Sequence, residues 1–198
     1  MILYVETNFP ISIATGRDPQ ATNLLQATPA SIQIAIPSIC YMEALYVLSV
    51  DLKSRNRFDG ELRVRLNDAE RNLTSASASL LSFHLKEAVN QNEALLKEIK
   101  ALLPQTLSQL ATKAEMINLT ADILQSSLRI KLIEEQTDNL ILNCILNHAQ
   151  WHAAEVKVLL SGNTNDFGKP EVREVLRNAG VENYFSRTQE FLSWLQSQ

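Results

Sequence analysis

Ile2-Leu3-Tyr4-Val5-Glu6-Thr7-Asn8 decides how the rest of the chain reads. Four consecutive strand-forming residues run directly into a carboxylate, a hydroxyl and an amide. An unbroken apolar run of this length suits the central strand of a parallel sheet, covered on both faces. In open α/β sheets the chemistry sits just beyond the carboxyl ends of the strands. Glu6 stands at such an end, so acidic residues that reach the same edge become its candidate partners.

Outward from this stretch, strands and helices alternate. Asp18-Pro19 opens a short helix through Gln26, with Asp18 as its cap. Ile32 to Ile36 reads as a second strand, and Pro37-Ser38 closes it. Ser38 is the expected cap of a helix through about Leu52, with Glu43 in its second turn. Val156 to Leu160 is a third strand, followed by the polar loop Ser161 to Phe167. Pro170 starts a helix that Gly180 ends, Tyr184 to Ser186 reads as a short edge strand, and Gln189 to Gln196 as a last amphipathic helix. This alternation indicates an α/β fold on a parallel sheet.

The middle of the chain is different. Between Phe58 and Lys100 there is no proline, and leucines recur at three, four or seven residues. That spacing predicts one long amphipathic helix or two nearly collinear ones. Pro104 is expected to break it, with further helices over Gln105 to Ala114 and over about Thr120 to Ile133. Residues 58–115 therefore read as a helical hairpin inserted into a single domain over 1–198. The insert is either a packing or dimerisation element or a clamp for nucleic acid. Arg55, Arg57, Arg63, Arg65 and Arg71 cluster at its start, but Asp59, Glu61, Asp68 and Glu70 are interleaved, the pattern of a solvated helix face.

Composition narrows the classes. The 198 residues are 45% hydrophobic and 20% charged, with net charge −4, which fits a globular domain and argues against a strongly basic nucleic-acid wrapper. Cys40 and Cys144 lie in apolar helical surroundings and read as free, buried thiols. No run approaches the roughly 20 apolar residues of a membrane span, and residues 1–17 lack a signal-peptide pattern, so a cytoplasmic protein with no membrane partner is expected. Neither a Gly-x-Ser-x-Gly elbow nor a Gly-rich phosphate loop is present.

The carboxylates carry the chemistry. Glu6 follows the first strand, Glu43 lies near the start of the helix after the second, and Asp166 follows the third. A parallel sheet points all three at one rim. Asp138 lies in the first turn of a helix for which Thr137 is the expected cap. That helix feeds a strand and is not expected to begin at the same rim. Clustered carboxylates repel unless a cation sits among them. Mg²⁺ or Mn²⁺ suits an oxygen-only set and activates a water for attack on phosphorus, so the expected reaction is phosphodiester hydrolysis. Cys144, His148 and His152 share one helix stripe. Zinc is one reading of that stripe, but it lacks a fourth ligand, and a half-buried helix face is the preferred one.

Four segments resemble the motifs of PIN-domain nucleases. They are Tyr4 to Asn8, Ile36 to Leu45, Thr137 to Leu142, and Leu159 to Phe167. The resemblance implies a three-layer α/β/α fold with a central parallel sheet of four to five strands. It implies a metal-dependent endoribonuclease or nuclease in which Glu6, Glu43, Asp138 and Asp166 hold Mg²⁺ or Mn²⁺. Asn8, Ser161 and Asn163 become supporting polar groups, and the Asp138 helix delivers its acid to the site. Single-stranded RNA or DNA is the expected substrate, with Lys53, Arg55 and Lys169 as contacts to its backbone. A homodimer and a small protein regulator are the expected protein partners. Two departures stand out: Glu6 replaces the family's usual aspartate, and the insert exceeds what compact PIN toxins carry. They define the alternative, a catalytically impaired module that acts through its helical insert.

Overall fold

A computed structural model describes residues 1–198. Five strands form one parallel sheet: β1 (Ile2–Val5), β2 (Gln33–Pro37), β3 (Glu115–Ile117), β4 (Lys157–Leu160) and β5 (Val181–Phe185). Their order is β3-β2-β1-β4-β5. β1 is central, and all four of its residues are at most 1% exposed, which is why its sequence is a continuous apolar run rather than an alternating one.

Eight helices accompany the sheet: α1 (Asn8–Ala14), α2 (Pro19–Gln26), α3 (Ile39–Glu70), α4 (Ala76–Lys113), α5 (Ala121–Arg129), α6 (Gln136–Trp151), α7 (Pro170–Asn178) and α8 (Thr188–Gln196). Parallel strands need crossovers, and crossovers are right-handed. β1 to β2 steps one way along the sheet and β3 to β4 steps the other, so their helices fall on opposite faces. α1, α2 and α8 pack together, and α5 packs on α6, which lies against β2 and β3. The result is a three-layer α/β/α fold.

The chain divides into two compact units, Met1–Ala44 with Leu103–Gln198, and Leu45–Leu102. The second is helical. Contacts of Arg63 with Glu93 and of Lys86 with Glu70 show that α4 folds back antiparallel along α3 after the turn at 71–75, rather than continuing it collinearly. α3 also runs past Leu52 to Glu70. No proline intervenes there, and Arg55–Asp51 (2.8 Å) and Arg63–Asp59 (2.7 Å) pair at one-turn spacing on either side of Gly60.

Three other elements depart from the sequence reading. Pro104 lies inside α4 and does not break it. An interior proline costs about 3 kcal/mol, but burial of Leu103, Leu107 and Leu110, at about 1.5–3 kcal/mol each, outweighs that. β3 falls where the sequence reading places no element; it has three residues, of which Ile117 alone is buried. β5 starts at Val181, three residues before the expected edge strand.

Gly180 follows α7 with φ +84°, and a Cβ there would lie 3.0 Å from Lys157 Nζ. Lys157 is 1% exposed and donates to the His152 carbonyl at 2.7 Å, so it has little room to yield. Gly180→Ala is expected to destabilise the fold by about 1–2 kcal/mol, read as a lower urea midpoint with unchanged slope.

Candidate active site

The strand order reverses direction between β1 and β4, since the chain first builds outward through β2 and β3 and then returns to the far side of β1. Open α/β sheets bind ligands in the crevice at such a reversal. Val5 pairs with Leu160, so Glu6 and Ser161 leave the sheet side by side. Ser161 Oγ donates to Glu6 Oε1 at 2.9 Å, and the Asn8 backbone N–H donates to Oε2 at 2.7 Å. Glu6 is 2% exposed. Burial pushes its pKa up to about 7 despite both hydrogen bonds, and the charges of Asp138 and Glu43 add to the rise.

The other acids close around it. The Thr7 hydroxyl donates to Glu43 Oε2. Burial also raises the Glu43 pKa, with Thr7 opposing and Glu135 reinforcing the shift. The amide nitrogen of Asn163 donates to Asp138 Oδ2 at 2.8 Å and to Asp166 Oδ2 at 3.1 Å. Asp138 is pushed up to about 6, first by burial, then by Glu43, Asp166 and Glu135. Lys169 Nζ donates to Asp166 Oδ1 at 3.1 Å.

The loop after β4 explains how Asn163 and Asp166 reach this place. Its turns are closed by Thr164 N–H to the Gly162 carbonyl and Phe167 N–H to the Asn163 carbonyl, both at 3.0 Å. The Asn163 N–H also donates to Ser161 Oγ at 3.1 Å. Gly168 lets the chain turn back on itself, because a Cβ there would meet the Thr164 carbonyl oxygen at 2.4 Å. Phe167, fully buried, anchors the loop.

Asp138 corrects an expectation. A crossover helix returns the chain to the amino edge of the sheet, so it runs antiparallel to the strands and must begin at the carboxyl edge. α6 does this, with Asp138 bonded to Asn163 near its start and His148 bonded to Tyr4 and Glu115 near its end. Thr137 is not its cap; Glu135 is, accepting from the Asp138 N–H at 2.9 Å. Thr7 and Glu135 thus belong to the cluster, although the motif reading passed over both. The signal for Thr7 is its place between Glu6 and Asn8; the signal for Glu135 is its spacing of three before Asp138.

Asn8 is exposed, and its side chain lies against Gly162. Lys53 and Arg55 are in the helical unit, where Lys53 is exposed and Arg55 is paired with Asp51. The four acids offer oxygen donors only, and their charges raise the proton affinity of Glu6 and Asp138. That set fits a hard divalent cation such as Mg²⁺ or Mn²⁺.

Fold and site define a parallel α/β domain with a carboxylate cluster at its switch point. The family model described as the PIN domain matches residues 3–167, and the chain belongs to that family, one of nucleases. Among solved structures, a chain of VapBC2 from Rickettsia felis, crystallised bound to a DNA fragment from its promoter, is similar with TM-score 0.44. It is 18% identical, with 92% of this chain and 98% of that chain covered. No curated protein matches at a significant level. No helix is long and apolar enough to cross a membrane.

The raised acids set a pH dependence for the metal-free protein. Each binds its proton more tightly folded than unfolded, so its stabilising contribution is full below the unfolded pKa. That contribution is lost as pH rises through about 6 for Asp138 and about 7 for Glu6. In chelator, the unfolding midpoint is expected to fall between pH 5 and pH 8, and Asp138→Asn should flatten the fall in a thermal melt series.

Proposed function

We propose that the chain is a metal-dependent nuclease that hydrolyses phosphodiester bonds, with single-stranded RNA as its substrate class. One observation carries the reading: acids from four separate segments, Glu6, Glu43, Asp138 and Asp166, lie near enough to act on one another's charge, each held by a hydrogen bond from Ser161, Thr7 or Asn163. Glu43, Asp138 and Asp166 are half-buried and form the accessible part of the cation-binding set, with Glu6 as its buried floor. A bound Mg²⁺ or Mn²⁺ supplies a Lewis acid and a water acidified for attack on phosphorus. Asn163 holds two of the acids at fixed spacing, which pre-organises them before any ion arrives. Lys169 is the cation beside the cluster, and its ammonium can leave Asp166 for a substrate phosphate.

A second reading has one observation in its favour. Glu6 is almost fully buried with both oxygens already accepting hydrogen bonds, as a structural carboxylate would be. On that reading the chain is a PIN-like binding module without catalysis.

End-labelled single-stranded RNA incubated with purified protein and Mn²⁺ separates the two. Cleavage is expected, and Glu43→Gln or Asp138→Asn should slow it at least about 100-fold, which corresponds to about 2.7 kcal/mol of transition-state stabilisation. Wild-type protein that neither cleaves RNA nor binds Mn²⁺ would establish the module instead.

A further inference from the structure

A second cluster lies at the other end of α6. Its axial rise from Asp138 to His148 is about 15 Å. One ligand atom from each of Glu115, His148 and His152 lies within 4.8 Å of the others. His148 Nε2 is 3.0 Å from Glu115 Oε1, and the two imidazoles stack with centroids 4.3 Å apart. The side chains are 12%, 30% and 39% exposed for His148, His152 and Glu115, so the group is reachable from solvent. Nothing in the nuclease reading uses these residues.

We infer that Glu115, His148 and His152 form a zinc site of the two-histidine, one-carboxylate type, with water as the fourth ligand. The ring nitrogens on the far side support it. His148 Nδ1 is 2.9 Å from the Tyr4 hydroxyl, and His152 Nδ1 is 2.9 Å from Glu155 Oε1. Metal-binding histidines hold their second nitrogen on an oxygen in this way, which orients the ring and leaves the other nitrogen for the ion. In both residues Nε2 is that other nitrogen. Zinc ligands sit about 3.4 Å apart along a tetrahedral edge, so binding requires the His152 ring to turn out of its stack on His148.

Proton balance is simple. In the tautomer with its proton on Nε2, His148 donates to Glu115 and accepts from Tyr4 at Nδ1. When Zn²⁺ takes the place of that proton, the proton moves to Nδ1, and the contact to Tyr4 persists with donor and acceptor exchanged. Lys157, whose ammonium is held by the His152 carbonyl, fixes the backbone that carries His152. The bound ion would tie the start of β3, an edge strand, to the end of α6. Nitrogen donors distinguish this site from the oxygen-only one at the other end of the helix.

The test uses the full untagged chain, freed of metal by chelator and dialysed against Zn²⁺ in excess Mg²⁺. Wild type is expected to retain one equivalent of zinc and to melt at a higher temperature with it. Co²⁺ in its place should give the visible absorption of a four-coordinate centre. His152→Gln, at a half-buried position, and the double variant His148→Ala with His152→Ala should weaken binding at least about 100-fold, while Tyr4→Phe, at a positioning residue, should weaken it about 10-fold. Glu43→Gln and Asp138→Asn should leave it unchanged, so loss of the nuclease reading and loss of this one are separable. Zinc bound equally by the histidine variants, or no zinc retained by wild type, would overturn the assignment.

Discussion

The register of β1 on β4 is the constraint from which the site follows. Pairing Val5 with Leu160 fixes where each strand leaves the sheet, and so sets Glu6 beside Ser161. A slip of one residue would turn every side chain of β1 to the opposite face. The hydroxyl of Ser161 could not then meet a carboxylate inside the protein. Because β1 is buried on both faces, packing enforces this register along its whole length. Placement of the first acid is therefore as secure as the core itself.

Around that fixed point the protein assembles like charges, which by themselves disfavour folding. Hydrogen bonds make the assembly tolerable. Asn163 stands between Asp138 and Asp166, Thr7 binds Glu43, and Ser161 with the Asn8 backbone binds Glu6. Each donor stabilises the ionised form, yet Glu6 and Asp138 still titrate high. Desolvation and mutual repulsion thus exceed what neutral donors return, and the remainder is available to a cation.

Much of this is legible in the residues. A four-residue apolar run ending in Glu6, the proline-closed strand before Glu43 and the polar loop after Leu160 each announce an element and its exit. What the residues conceal is set by context. β3 offers Glu-Met-Ile, too short and too polar for any periodicity to declare it a strand. No proline marks an end of α3 before Glu70, and Gly60 is absorbed into the helix. Pro104 carries a strong local signal that three buried leucines overrule. Asp138 required a topological argument: the direction of a crossover helix follows from the strands on either side of it, not from the helix sequence. Glu115, distant in sequence, is the residue that turns the His148 and His152 stripe into a cluster.

The outer strands of the sheet have a consequence for how copies of this chain meet. β3 and β5 are its two margins, three and five residues long, with Glu115 and Glu182 on them. A neighbouring molecule that sought to extend the sheet would find few unpaired amides and a carboxylate at each border. Self-association by strand addition is thereby discouraged.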